Sequence, residues 1–434
     1  MSRNITFNKM NFLNLSALFI AMSLFVVGRF GFFDILGLKR FMEILLFIPI
    51  AIIGILVILR FPRVFTQPIF LLSLSFFVFQ LLMQPNILDL ADMSLATLIV
   101  GTILSLKEFY ADLILRYTIK IATLFALLGL IEFFILLIEP SLVNSILLFY
   151  TTYSGSPVPV IENMMQLLGL SDGTSYHLWG MAVTRLRSFA SEPSLLVGYF
   201  LVPGALSLTY EGKYYIYGLI CIAFAMCSLS GSVYVSLAFA MFCIIFMLFR
   251  MQRTLVIFPF IIYLVFIWLL YTHFNDFILL SKSDGQSYDF FDKTNSANIR
   301  FSYIRDYIPQ VLTTPFGTTE IITQPLGYII RAIASSGFIG GVLSTIIILN
   351  FFKNLGKLIM SNALGFRKKV GLLIIYGSLI AGLLYLDNCF IQIYGFTLMT
   401  LIWMRLQKLQ GIRLQLQSKR EALFTQKNVE YEPC

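Results

Sequence analysis

Long apolar runs follow one another along nearly the whole chain, separated by short polar segments and by two longer ones. Many of these runs contain about 18 to 22 residues, the length that an α-helix needs to cross the apolar part of a bilayer. The pattern predicts twelve membrane-spanning helices, with both chain ends on the same side of the membrane. The predicted spans are 12–28, 41–59, 67–83, 93–106, 117–138, 194–210, 214–230, 232–249, 254–272, 325–352, 370–386 and 389–404.

Composition places the chain in the same class. Of its 434 residues, 58% are hydrophobic and only 12% are charged, about half the charged fraction of a typical soluble domain. We therefore expect a single all-α polytopic integral membrane domain over residues 1–434. The net charge of +9 does not indicate nucleic-acid binding, because the cytoplasmic loops of membrane proteins collect Lys and Arg.

Lysine and arginine are divided unequally between the two predicted sides. The side that holds both termini carries 21 of the 31, and is therefore predicted to be cytoplasmic. The opposite side carries two enlarged loops, 139–193 and 273–324. The basic tail at 405–434 is predicted to be cytoplasmic, either as a helix on the anionic inner leaflet or as a disordered segment.

Cationic side chains on the outer side need an explanation, because they should be scarce there. Seven of the ten lie in the two large loops and in the helix after the second loop. They are Arg185, Arg187, Lys282, Lys293, Arg300, Arg305 and Arg331. Arginine binds phosphate in a bidentate manner, so the cluster predicts a diphosphate-binding site at the outer interface. The alternative for each arginine is contact with lipid headgroups or a nearby carboxylate.

A carboxylate stands at the end of the first loop, in the segment Ser191-Glu192-Pro193-Ser194. Pro193 fits the first position of a helix, where Glu192 would face the positive helix end as a cap. The functional alternative is that Glu192 is the general base for a sugar hydroxyl at the membrane surface.

The second loop combines aromatic and acidic side chains around Tyr288, a pattern that suits a sugar ring and equally suits packing onto the membrane surface. Arg300 and Arg305 fall on a short helical pattern that ends near Gly317. Histidine is the side-chain type that normally titrates near neutrality. His177 and His273 are predicted to hydrogen-bond within their loops, with a catalytic role as the alternative. No spacing indicates a metal site, a nucleotide-binding loop or a disulfide framework.

The segment from Arg187 to Pro193, Arg-Ser-Phe-Ala-Ser-Glu-Pro, together with Gly198 beyond it, resembles the corresponding segment of the O-antigen and capsule polymerases of the Wzy type, relatives of the O-antigen ligases. The region from Arg305 to Gly317, followed by Gly337 to Gly340, resembles their second-loop region. The serine-rich segment Ser230-Gly231-Ser232-Val233 lacks the arginine that members of the family often have there. The region about ten residues before the glycine pair, Gln324-Pro325-Leu326-Gly327, lacks the histidine that is typical of the ligases. The missing histidine favours polymerase over ligase.

The resemblance implies transfer of a growing glycan from undecaprenyl diphosphate to a lipid-linked repeat unit, on the outer face of a bacterial cytoplasmic membrane. It assigns Glu192, Arg187 and Arg305 to catalysis. From the outer cation cluster and the composition of the two loops, we further predict that substrate is bound by Arg185, Arg300, Arg331, His177, His273 and Tyr288. No metal or other cofactor is implied. The implied partners are the lipid-linked oligosaccharide and membrane lipids, with a chain-length regulator as a candidate.

Three other readings remain open. A flippase for lipid-linked oligosaccharides has a similar number of spans, but it needs a cationic cavity near the middle of the membrane. An O-antigen ligase uses related substrates, and a non-catalytic assembly protein is the third alternative. The sugar, the linkage, the anomeric outcome and the oligomeric state are not encoded in any motif that we recognise.

Overall fold

A computed structural model of the chain describes residues 2–26, 39–83, 87–138, 175–178, 181–184, 197–228, 230–249, 257–259, 261–265, 268, 309, 317, 328–384 and 393–429. Apart from one short hairpin, its regular structure is helical. Its main helices are α1 (Ser2–Val26), α2 (Lys39–Arg60), a 3-10 helix (Pro62–Thr66), α3 (Pro68–Met83), α4 (Ile87–Ile138), a π-helix (Val197–Leu201), α5 (Val202–Ser207), α6 (Tyr214–Cys227), α7 (Gly231–Leu248), α8 (Tyr328–Ile359), α9 (Phe366–Leu384) and α10 (Ile393–Val429).

The hairpin pairs β1 (Ser175–Leu178) with β2 (Met181–Thr184) in antiparallel register, and His177 lies opposite Ala182. It falls inside the segment that was predicted to be the first large loop. The strands come directly after the sequence Asp172-Gly173-Thr174, whose residue types favour a turn over a continuing helix.

Most of the described helices match predicted spans, and this part of the chain fits a helical membrane protein. Two helical stretches, Glu108–Ile131 and Ser336–Ile359, are long and apolar enough to cross a bilayer by length and composition. Several others are apolar but contain only 10–17 residues that qualify. The described residues therefore agree with the predicted class, but they do not show twelve spans.

One predicted pair of spans is wrong. The chain at 93–106 and 117–138 was expected to form two helices joined by a cytoplasmic loop, but α4 is one continuous helix of 52 residues. The joining segment has no glycine or proline, and its charges are spaced for contact between successive turns of a helix. Asp112 and Arg116, four residues apart, form such a salt bridge at 3.1 Å. A charged interval therefore interrupts the apolar pattern without interrupting the helix.

The two halves of α4 differ in part of their packing, although α1 contacts both. In the first half, Thr97 donates to the carbonyl of Ser73 in α3 at 3.2 Å. In the second half, the ring of Phe125 lies 5.9 Å from that of Phe25 in α1. At about 1.5 Å per residue, α4 is about 78 Å long, more than twice the thickness of the hydrocarbon core.

Helix α8 is broken near its start. Ser336 and Gly337 have non-helical dihedral angles, and Gly337 has φ 66° and ψ −163°. Only glycine adopts this conformation readily, so the break is encoded locally. The candidate membrane-crossing stretch of α8 begins at this break.

The last predicted span and the basic tail form one helix. Helix α10 runs without interruption from Ile393 to Val429, so of the two alternatives for the tail the described part is helical. Helices α9 and α7 approach each other closely at Gly377 of α9. A side chain at this position would collide with the backbone of Ser236 and Ala240 in α7.

Candidate functional site

Seven of the nine residues predicted for the site lie outside the described residues. They are Arg185, Arg187, Glu192, His273, Tyr288, Arg300 and Arg305. The other two are His177, whose backbone lies in β1, and Arg331, which lies in the first turn of α8 and is 3% exposed.

The ends of the segment that carries Arg185, Arg187 and Glu192 are well defined. Strand β2 contacts α4 and ends at Thr184, one residue before Arg185. The π-helix begins at Val197, and all five of its residues are buried. The two elements next to the segment 185–196 in the chain therefore both contact described helices of the bundle.

Aromatic packing holds the π-helix in place. The ring of Tyr199 lies 5.8 Å from that of Phe25 in α1, and the ring of Phe200 lies 4.9 Å from that of Phe224 in α6. π-Helical turns are rare in proteins. Where they occur, they often lie at functional sites, because they shift the register of a helix at one point. Here the turn follows directly after the segment of the predicted catalytic residues.

Arg331 lies elsewhere in the bundle. Its helix packs against α3, where Phe79 and the carbonyl of Ala334 both approach Gly317. Helix α3 covers the first half of α4, whereas the π-helix lies beside the second half. The described residues do not bring Arg331 to the ends of the segment 185–196.

A different set of charged residues does converge, and we call it the ionic junction. It joins α4, the turn after α5, and α10. Its members are Asp112, Arg116, Thr209, Tyr210, Arg405 and Lys408.

Asp112 is the centre of the ionic junction. Its Oδ1 accepts hydrogen bonds from the Tyr210 hydroxyl at 2.6 Å and from Arg405 Nη1 at 3.1 Å. Its Oδ2 accepts from Arg116 Nε at 3.1 Å and lies 3.3 Å from Lys408 Nζ. Both oxygens of the carboxylate are occupied, so Asp112 is poorly suited to act as a general base.

Arg405 connects the junction to the backbone. Its Nε donates to the Thr209 hydroxyl at 2.9 Å, and its Nη2 donates to the Thr209 carbonyl at 2.8 Å. Its guanidinium also lies 3.7 Å from the ring centroid of Tyr210, close enough for a cation–π contact. Burying this side chain, which is 7% exposed, is possible because its charge and its donors are satisfied.

Helix α9 adds a second layer of polar contacts. Arg367 Nη2 donates to the Tyr210 carbonyl at 2.6 Å, and Lys368 Nζ donates to Glu211 Oε1 at 3.0 Å. The hydrogen bond and the charge of Lys368 lower the pKa of the Glu211 carboxyl below its ordinary value. Three basic segments that are predicted to be cytoplasmic thus contribute side chains here: 107–120, 353–369 and the tail from 405.

A cavity of about 560 Å³ lies next to the junction. Phe109 and Trp403 contribute apolar walls, whereas Gln67, Glu108 and Gln407 contribute polar groups. Within the described part of the chain, no three His, Cys, Asp or Glu side chains are placed to hold a metal ion.

Sequence reasoning did not identify the junction. The spacing of Asp112 and Arg116 was visible as a helical pair, but Arg405 is 293 positions away from Asp112. No local pattern pairs the two residues.

Comparison of the chain with protein-family models, with curated proteins and with solved structures finds no match.

Proposed function

We propose that the protein is a polysaccharide repeat-unit polymerase of the bacterial cytoplasmic membrane. In this proposal the chain has about twelve spans, both termini are cytoplasmic, and the two enlarged loops lie on the outer side. The donor is a growing glycan on undecaprenyl diphosphate, and the acceptor is a single lipid-linked repeat unit.

The observation that supports this proposal best is the packing of the two elements that flank the segment 185–196 in the chain. Arg185, Arg187 and Glu192 lie between a strand that contacts α4 and a fully buried π-helix. A catalytic segment needs such support, because a group that stabilises a transition state has to be held in position before the reaction.

The proposed reaction is a substitution at the anomeric carbon of the donor. The acceptor hydroxyl forms a new glycosidic bond to this carbon, while the bond from the carbon to the diphosphate oxygen breaks. The leaving diphosphate takes the electron pair, and Arg187, Arg300 and Arg305 stabilise its charge. Glu192 accepts the proton of the acceptor hydroxyl.

The remaining predicted residues bind the substrate in this scheme. Arg185 contributes to the diphosphate site, and His177, His273 and Tyr288 contact sugars. Arg331 is the weakest member, because it is buried beside α3 and away from the π-helix. The scheme uses no metal and no other cofactor.

The test uses a strain in which the gene is deleted and then complemented. We expect the deletion to accumulate lipid carriers with one repeat unit, and the wild-type gene to restore a polymer ladder. Arg187→Ala and Glu192→Gln should each abolish the ladder at normal protein abundance, and Arg187→Lys should restore it only in part. Arg63→Ala is the matched control, because Arg63 is an exposed arginine of the 3-10 helix.

A flippase for lipid-linked oligosaccharides is the second candidate. It would need positive charge in a cavity near the middle of the membrane. In the same strains, a flippase would leave single units on the cytoplasmic face. Full-length polymer that stays on its lipid carrier would instead indicate a ligase, and a full ladder in Arg187→Ala would contradict the polymerase proposal.

A further inference from the structure

In the second half of α4, one face of the helix begins with two cations and continues with exposed apolar side chains. Arg116 and Lys120 begin this face, and the following residues recur at intervals of three or four, which places them on the same side of the helix. The exposed apolar members are Leu124, Leu127, Ile131, Phe134 and Ile138. We call this face the α4 stripe.

The cations at and near the start of the stripe are only partly neutralised by carboxylates of the described residues. Among the described residues, Arg116 donates to Asp112 through Nε alone, and its side chain is 46% exposed. Lys408 contacts the same carboxylate oxygen, and its side chain is 34% exposed. One carboxylate is thus shared by three cations, since Arg405 binds it as well. The junction has a positive excess that faces outward.

Aromatic rings surround these cations. The guanidinium of Arg116 lies 5.5 Å from the ring centroids of both Tyr210 and Tyr214, and Lys120 lies 5.3 Å from that of Tyr117. Tyrosine and tryptophan are enriched where a membrane protein meets the headgroup layer. The candidate membrane-crossing stretch of α4, Glu108–Ile131, includes both Arg116 and Lys120.

We propose that the junction and the α4 stripe together bind an anionic glycerophospholipid. Its phosphate is held between Arg116, Lys120 and Lys408, and its acyl chains lie along the stripe from Leu124 toward Ile138. From Lys120 to Phe134 the helix rises about 21 Å, which matches the length of a long acyl chain. Helix α6, which packs against α4, also exposes the apolar side chains of Ile216 and Leu219.

A phospholipid fits these features better than a free phosphate. Inorganic phosphate would be bound by the cations alone and would leave the stripe without a role. A zwitterionic lipid would cover the stripe, but its own cationic group would be repelled by the excess charge. Only a lipid that carries net negative charge uses both parts of the surface.

The test measures lipid binding to the purified full-length chain. Native mass spectrometry would count adducts with dioleoyl phosphatidylglycerol and with dioleoyl phosphatidylcholine, and the melting temperature would be followed by tryptophan fluorescence in mixed micelles. We expect preferential binding of phosphatidylglycerol and a higher melting temperature in its presence. Removing one cation should weaken binding about fivefold, and Arg116→Gln with Lys408→Gln about thirtyfold.

Controls separate charge, chain and fold. Arg60→Gln removes an exposed arginine from the end of α2 and should leave phosphatidylglycerol binding unchanged. Lys408→Arg keeps the charge and should keep the binding. Dihexanoyl phosphatidylglycerol, whose chains are too short to cover the stripe, should bind more weakly than the dioleoyl form. If the double variant does not fold, the single variants Lys408→Gln and Lys120→Gln decide by their adduct counts.

Three results would overturn the proposal. The first is equal binding of phosphatidylglycerol and phosphatidylcholine by the wild-type chain. The second is unchanged phosphatidylglycerol binding when Lys408 or Lys120 is replaced by Gln. The third is stabilisation by inorganic phosphate that equals stabilisation by phosphatidylglycerol and depends on the same cations, because the site would then be one for free phosphate.

Discussion

The two halves of α4 are similar in sequence and differ in their surroundings. In the first half, from Met93 to Leu106, each side chain is buried or partly buried, and Ile99 and Val100 are fully buried. In the second half, Leu124 is 57% exposed and Ile131 is 55% exposed. Both halves are apolar, so hydropathy does not distinguish a side chain that packs against protein from one that faces lipid.

The ionic junction lies between these two halves. Asp112 holds α4 to α10 and to the turn at Tyr210, at the point where the neighbours of α4 change. A long helix that passes between two packing environments has few ways to fix its register. We infer that the junction sets the register of α4 against α10.

The largest expected effect is at the centre of the junction. Replacing Asp112 by Asn leaves the buried Arg405 without its counter-charge, and we expect a loss of about 3–5 kcal/mol in the free energy of unfolding. The measurement is denaturant titration of the purified protein. Glu108→Gln is the matched control, since Glu108 is an exposed carboxylate one turn earlier on the same helix. Equal losses in the two variants would mean that the charge of Asp112 does not stabilise the fold more than that of an exposed carboxylate.

The next effect compares the two halves directly. Ile99→Ala removes a fully buried side chain, and we expect it to cost about 2–5 kcal/mol, because a cavity remains. Leu127→Ala, at a position that is 41% exposed, should cost well under half as much. Thermal or denaturant unfolding of both variants in the same detergent gives the comparison. A larger loss for Leu127→Ala would reverse the assignment of the halves.

A charged substitution tests whether the second half faces lipid. Leu124→Lys places an ammonium group on the exposed face of α4, and in lipid we expect an insertion cost of about 2.5–3.5 kcal/mol. The abundance of the protein in membranes measures this cost, with Leu124→Met as the control. Surface substitutions in water usually change stability by about 0.5 kcal/mol or less, so normal abundance of Leu124→Lys would place this face in water.

The smallest effect is at the rim of the junction, where Lys368 binds Glu211. Glu211 has a lowered pKa in the folded state, so its contribution is present above its ordinary pKa of 4.5 and is lost as the pH falls through the folded value. The melting temperatures of wild type and Glu211→Gln should therefore differ slightly at pH 7 and converge at lower pH. Because Glu211 is 82% exposed, we expect added salt to reduce the difference at pH 7. A difference that grows on acidification would contradict this sign.

Local patterns were sufficient for some elements and insufficient for others. The apolar runs at 41–59, 67–83, 214–230 and 232–249 correspond to helices, because each run has helical length and ends at polar or glycine-containing segments. The prediction of two separate spans at 93–106 and 117–138 was wrong, because the charged interval between them does not end the helix. The predicted catalytic residues lie outside the described residues, so Arg187, Glu192 and Arg305 remain predictions.

The sequence by itself determined that this is an apolar, helical chain whose composition fits a membrane, and where most of its described helices lie. These properties follow from residue type and short-range spacing, which act within a few turns of helix. Only the tertiary structure decided that α4 is continuous, which of its halves is enclosed by protein, and that Asp112 pairs with Arg405. A membrane interior and a protein interior are both apolar, and contacts between distant residues leave no trace in local spacing, so neither could be read from the chain alone.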